Sequence, residues 1–215
     1  MRLYTMQPST VLANLDAGLT HRPRLDLCER DGFLGMARGE AETRRAYHWM
    51  IARLTQQETP PQLDSLPVWA WHTYDPKRPG FDLRVYRPKR PGVLLELEVD
   101  PARVLLSDYE LWHWALNGWF LGSRANVRAI AALCKKLGVE WGEWWTHPDI
   151  AEQVCASWAR CLDLKWYAPR WEGKPAAEKS LQGVLWEIRP QDVRRSKVFK
   201  GWPRSADGGP VLLWQ

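Results

Sequence analysis

The stretch LLSDYELWHWALNGW at residues 105–119 carries a tyrosine, a histidine, an asparagine and three tryptophans where a plain core helix would use leucine. In a helix, residues four apart share a face, so Tyr109, His113 and Asn117 form one polar row flanked by Trp112 and Trp119. Hydroxyl, imidazole and amide groups beside flat aromatic walls suit a nucleotide-like ligand. The same row also suits a buried helix whose polar groups bond to neighbouring backbone. In VLLELEV at 93–99, Leu95, Leu97 and Val99 alternate with Glu96 and Glu98. Two carboxylates on one strand face can act as acid or base or orient a ribose hydroxyl; a face open to water explains them equally simply.

His72 lies in WAWHTY, where alternation places Ala70, His72 and Tyr74 on one face and Trp69, Trp71 and Thr73 on the other. A His–Tyr pair on a strand can contact a diphosphate or ribose, and a lone strand histidine can equally be structural. Residues 77–90, KRPGFDLRVYRPKR, interleave Lys77, Arg78, Arg84, Arg87, Lys89 and Arg90 with Phe81 and Tyr86. Basic side chains pair with phosphates while rings stack on bases, which makes this segment the candidate phosphate-facing loop; its alternative is a solvated charged loop.

The chain contains no GxxxxGK[ST], GxGxxG, HExxH or GxSxG, so P-loop, Rossmann, zincin and α/β-hydrolase chemistry lacks its usual anchors. Cys28, Cys134, Cys155 and Cys161 are scattered with no CxxC pair, which favours free thiols and gives no metal-ligand spacing; no metal is expected.

Several elements must position these groups. Residues 2–6 read as a strand, then Pro8 opens a helix with Val11, Leu12 and Leu15 on one face, stopped by Gly18. Residues 20–39 are irregular. Tyr47, Met50, Ile51 and Leu54 recur at helical spacing within 40–57, and Thr59-Pro60-Pro61 ends that helix. Strands follow at 67–74 and 93–99, separated by a segment with four prolines that is too broken for a helix.

Ser107 and Glu110 have capping-box spacing, so a helix is expected from Ser107 to about Leu121. Further helices span 123–136, closed by Gly138, and begin again near Pro148 with Ile150, Val154, Trp158 and Cys161 as the buried stripe. LQGVLWEI at 181–188 is a strand, and residues 210–215 are expected to add an edge strand. The fold class is therefore α+β: a small mixed or antiparallel sheet of short strands with four to five helices packed around it, in one domain over 1–215.

Apolar residues at 45% and charged residues at 26% are ordinary for a globular chain, which argues against disorder. No apolar run spans a bilayer and MRLYTMQPST lacks a hydrophobic signal core, so a cytoplasmic location without membrane partners is expected. A net charge of +5 permits a polyanionic partner without requiring one. Fifteen tryptophans mean rings available both as core filler and as stacking surfaces.

RLYTMQ at 2–7, AYHWM at 46–50, PVWAWH at 67–72, LLELEV at 94–99, LLSDYELWHWALN at 105–117 and LQGVLWEI at 181–188 together resemble a bacterial family catalogued as a domain of unknown function. The resemblance spans nearly the whole chain, with the LLSDxxLWHxxLN block most specific, and implies a shared fold without an activity. A narrower likeness covers about thirty residues. Leu3-Tyr4-Thr5 followed by a helix ending at Gly18-Leu19 is similar to the opening of ADP-ribosyltransferase-like domains, whose NAD pocket is built on that first strand.

That likeness implies an NAD-dependent transfer of ADP-ribose to nucleic acid or protein. Glu187 would be the catalytic glutamate, but its spacing from Gln182 departs from the glutamine–x–glutamate pattern, so Glu96 or Glu98 can stand instead. Tyr4, Thr5, His72, Tyr74, Tyr109, His113 and Asn117 would hold the cofactor, with Lys77, Arg78, Arg84 and Arg87 facing phosphate. The alternative is a non-catalytic nucleic-acid or nucleotide-binding module with a tryptophan-lined face and a basic loop.

Overall fold

A computed structural model describes residues 1–23, 41–86, 88, 90–169 and 171–201. Six strands form one sheet: β1 (Arg2–Gln7), β2 (Val68–Thr73), β3 (Gly92–Glu98), β4 (Leu105–Asp108), β5 (Leu181–Leu185) and β6 (Val193–Phe199), in the order β4-β5-β2-β1-β3-β6. Every neighbouring pair is antiparallel. Six α-helices lie among the described residues, against the four to five expected: α1 (Ser9–Asp16), α2 (Ala41–Gln57), α3 (Leu83–Tyr86), α4 (Tyr109–Leu116), α5 (Arg124–Leu137) and α6 (Pro148–Ser157). None is long and apolar enough to cross a membrane.

Both faces of the sheet are used. Leu3, Val68, Ala70, Leu95, Leu97 and Leu185 form an aliphatic core with Val11 and Leu15 of α1. Gly183 makes this packing possible, because a Cβ there would meet Val104 Cγ1 at 2.8 Å and Leu3 Cδ2 at 3.0 Å. The opposite face carries Val184 and Trp69, which join Met50 and Leu54 of α2, Trp112 of α4, Ile130 of α5 and Ile150 of α6 in a second, tryptophan-rich core. The stripe Ile150, Val154, Trp158 and Cys161 is fully buried.

Four local expectations are corrected. The helix expected from Ser107 begins at Tyr109, because residues 105–108 form β4 and Asp108, not Ser107, is the cap: its carboxylate accepts from Glu110 N and Leu111 N. That helix ends at Leu116 rather than Leu121, with Gly118 at φ 70° turning the chain. The proline-rich segment contains one helical turn, α3, started by the Asp82 carboxylate accepting from Arg84 N. β5 stops at Leu185, three residues before the expected end.

β6 was not anticipated, since Val-Arg-Arg-Ser-Lys-Val-Phe is exposed on both faces from Arg194 to Val198 and so has no burial alternation. The expected strand at 210–215 and Cys28 lie outside the described residues. Cys134, Cys155 and Cys161 are free thiols.

Candidate functional site

Residues directly opposite one another in an antiparallel ladder share a face. The registers Ser107↔Gln182, Gln182↔Trp71, Trp71↔Tyr4, Tyr4↔Glu96 and Glu96↔Arg195 therefore set one row of side chains across all six strands. It lies on the tryptophan-rich face and runs from a buried end at Ser107 to an exposed end at Arg195.

A ribbon of half-buried rings lies over the middle of this row. Tyr4 and Phe81 face each other at 6.2 Å, Phe81 meets Tyr74 at 5.1 Å and Tyr86 at 5.2 Å, and Tyr74 meets Trp71 at 5.0 Å. Trp71 then touches Tyr109 at 4.6 Å, and Tyr109 touches His113 at 4.2 Å. Simple alternation placed Tyr74 on the face opposite Trp71. A register shift between Trp71 and Thr73 re-aims the end of β2 and brings the two rings together. Phe81 and Tyr86 enter through the fold of the 75–86 segment over Tyr4, a contact that residue spacing does not encode.

The expected row on α4 is bonded largely within the helix. His113 Nδ1 donates to the Tyr109 carbonyl at 2.7 Å, and Asn117 Nδ2 donates to the His113 carbonyl at 2.7 Å from the position just past the helix end. Burial holds the His113 imidazole below its usual pKa, with the Tyr109 carbonyl opposing. Burial pushes the Tyr86 phenol up to about 12, with Tyr109 and Tyr74 adding to the shift, and also raises Tyr74.

Beside the ribbon is an open depression of about 360 Å³ lined by His72, Thr73, Asp75, Lys77, Arg78 and Gly80, among others. His72 Nδ1 is 2.9 Å from Thr73 Oγ1, and burial lowers its pKa, reinforced by the terminal ammonium. Arg78 approaches Asp75 at 3.6 Å and keeps two-thirds of its side chain exposed. Arg84 is clamped by Asp82 at 2.9 Å, and its hydrogen bonds draw the Asp82 carboxyl down to about 2. Arg87 lies outside the described residues.

Thr5 is not part of this ensemble: it is buried on the α1 side, donating to the Trp69 carbonyl at 2.9 Å. The three candidate carboxylates do not gather. Glu96 is in register with Tyr4 and pairs with Arg2 at 3.3 Å and Arg194 at 3.7 Å. Glu98, more exposed, pairs with the Met1 ammonium at 3.1 Å and with Arg194 at 3.8 Å; the ammonium lowers its pKa.

Glu187 lies past the far end of β5, held between Arg22 at 2.7 Å and Arg189 at 2.6 Å. Burial pushes its carboxyl up, but the hydrogen bonds from Arg189 and Arg22 outweigh that and hold it below the usual range. Beside it, Arg103 Nη1 donates to both carboxylate oxygens of buried Asp192, at 2.9 and 3.1 Å.

The profile of a domain of unknown function, DUF3841, matches residues 2–194, from β1 into the start of β6. The chain belongs to the DUF3841 family. No curated protein and no solved structure matches it. Membership fixes kinship and carries no activity with it.

In this DUF3841 chain, residue spacing alone missed the buried end of the row. Lys179 and Asp108, 1% and 2% exposed, meet at 2.9 Å as a charge contact rather than an aligned hydrogen bond, and Lys179 donates to the Trp166 carbonyl at 2.6 Å. Next to Asp108, Ser107 Oγ and its cross-strand partner's Gln182 Nε2 are buried with no hydrogen-bond partner among the described residues, as is Trp112 Nε1. A serine and an aspartate beside Leu105-Leu106 and a glutamine beside Leu181 were the available signal. Their meaning depended on pairing β4 with β5, which local pattern does not give.

Proposed function

We propose that the aromatic ribbon and the depression beside it bind a nucleotide-type ligand. A planar base or nicotinamide would lie against Trp71 and Tyr109, and phosphate would face Lys77 and Arg78 with His72 in reach. The supporting observation is the unbroken chain of ring contacts from Tyr4 to His113, bordered by basic side chains. Aromatic stacking with an adjoining cation pair is a sequence-tolerant way to hold such ligands, worth about 1–3 kcal/mol per stacked base. Titrating NAD and AMP against the intrinsic tryptophan fluorescence tests it. Trp71→Leu should weaken binding at least about tenfold while the far-ultraviolet circular dichroism stays unchanged; equal affinity for both proteins would refute the assignment.

A second reading, NAD-dependent transfer of ADP-ribose to nucleic acid or protein, rests on Glu96 lying in register with Tyr4 on the same face. A carboxylate there would stabilise the positive charge that develops on ribose as nicotinamide leaves. It requires Glu96 to exchange its present arginine partners for substrate. Nicotinamide release by the protein, abolished in Glu96→Gln, is the expected result; no release with any acceptor eliminates turnover and leaves binding standing.

A further inference from the structure

We infer that the ligand of this face is a single-stranded polynucleotide whose backbone runs from the aromatic ribbon across the sheet to β6. This rests on the nucleotide-binding reading above and extends it to residues that reading does not use. β6 and the residue after it carry Arg194, Arg195, Lys197 and Lys200, all exposed. Arg194 is committed to Glu96 and Glu98, whereas Arg195, Lys197 and Lys200 have no acidic partner among the described residues.

Register makes these charges continuous with the ribbon. Arg195 stands opposite Glu96, itself opposite Tyr4, and Lys197 stands opposite Leu94, itself opposite Met6. Arg195 and Lys197 therefore project from the face that carries Tyr4 and Trp71. Three strand spacings, about 14 Å, separate β2 from β6. A mononucleotide stacked on Trp71 places its phosphate near that ring, while several linked phosphates are needed to reach Arg195 and Lys197. Glu96 and Glu98 are neutralised by Arg2, Arg194 and the Met1 ammonium, so the path to the edge is not closed by negative charge.

Charged side chains on an edge strand also guard against strand-to-strand pairing. That role predicts no effect on ligand binding, which makes it separable. The experiment compares thymidine monophosphate with a fluorescent single-stranded oligothymidine of about twelve nucleotides, a length within the range such surfaces cover. The proteins are the wild type and R195E/K197E.

The oligonucleotide should bind more tightly than the monophosphate. The double variant should lose at least about tenfold in oligonucleotide affinity and reduce the salt slope by about 1.4, at about 0.7 per lost phosphate contact. Its monophosphate affinity should not change, because about 14 Å exceeds the screening length near physiological salt. Circular dichroism and the melting temperature check that the exposed substitutions leave the fold intact.

Oligonucleotide affinity equal to that of the monophosphate, or unaltered in R195E/K197E, overturns the polynucleotide path and leaves nucleotide binding intact. Polyglutamate of the same length displacing the oligonucleotide at equal concentration overturns it in favour of an acidic peptide. Failure of both monophosphate and oligonucleotide to bind removes the nucleotide-binding reading along with it.

Discussion

The two faces of one sheet solve different problems. Toward α1, Leu3, Leu95, Leu97 and Leu185 interdigitate with Val11 and Leu15, and buried Thr5 donates to the Trp69 carbonyl and accepts from Gln7. Toward the other helices, tryptophans replace aliphatics, an ion pair is buried, and Ser107 Oγ, Gln182 Nε2 and Trp112 Nε1 have no partner among the described residues. An aliphatic face suffices to hold a sheet together; a buried unpartnered polar atom works against stability by about 1–3 kcal/mol. These atoms lie on the side of the sheet that carries the half-exposed ribbon of rings. The contrast therefore separates an aliphatic face from an aromatic, partly polar one, and the proposed site lies on the second.

The largest expected effect comes from the buried ion pair. Asp108→Ala removes the α4 cap and leaves the Lys179 ammonium buried without its carboxylate, so unfolding free energy should fall by about 3–5 kcal/mol. Asp108→Asn combined with Lys179→Met should recover most of that loss. Urea denaturation of the single and double variants measures both, and a single variant as stable as the wild type would break the contrast at its strongest point.

Truncation on the aliphatic side comes next. Leu97 is fully buried, and Leu97→Ala should lower stability by about 2–5 kcal/mol with no change in ligand affinity for the protein that remains folded. Trp71→Leu, on half-buried ground, should show the reverse: under about 1 kcal/mol in stability and a large loss of binding. Parallel behaviour of the two variants would erase the division of labour between the faces.

This division was only partly legible in the sequence. The alternation of Leu95, Leu97 and Val99 with Glu96 and Glu98 marks a strand whatever its neighbours, and Ser123 with Gly138 brackets α5 by local chemistry alone. Residues 105–108 misled because Ser107 and Glu110 have capping-box spacing while Asp108 caps equally well one residue later. β6 was invisible because an edge strand exposed on both faces needs no apolar alternation.

At the site, Tyr109 and His113 were legible as neighbours through helical spacing alone. The Trp71–Tyr74 contact depends on a register shift, and the Tyr4–Phe81 contact on how a long loop closes, so neither follows from periodicity.

A smaller effect is expected from Glu172, which packs in the helical layer on the aromatic side. Its carboxylate accepts from Gly122 N at 2.7 Å, and burial pushes its pKa up to about 7, against the opposing Gly122 bond and Arg160. A folded-state pKa above the unfolded one means the folded form holds the proton more tightly. Stability from this group is thus full below about pH 4.5 and is lost as pH rises towards 7. Glu172→Gln keeps an acceptor for Gly122 and cannot titrate. The wild-type melting temperature should fall relative to that of the variant over this interval, and parallel profiles would show that burial does not perturb the group.

The smallest expected loss of stability is the most informative about the aromatic side. Replacing one member of a bonded pair strands the other, whereas Ser107 Oγ and Gln182 Nε2 have no partner among the described residues to strand. Ser107→Ala and Gln182→Leu should therefore leave unfolding free energy unchanged or raise it, by up to about 1–3 kcal/mol, the cost of an unpartnered buried atom. A buried serine or glutamine that is bonded would show a loss, and a clear drop in either variant would mean these atoms are satisfied in solution. The pair sits at the buried end of the row that continues through Trp71 and Tyr4. Undiminished stability with weakened nucleotide affinity would place that end of the row in contact with the ligand, and unchanged affinity would confine the site to the rings above it.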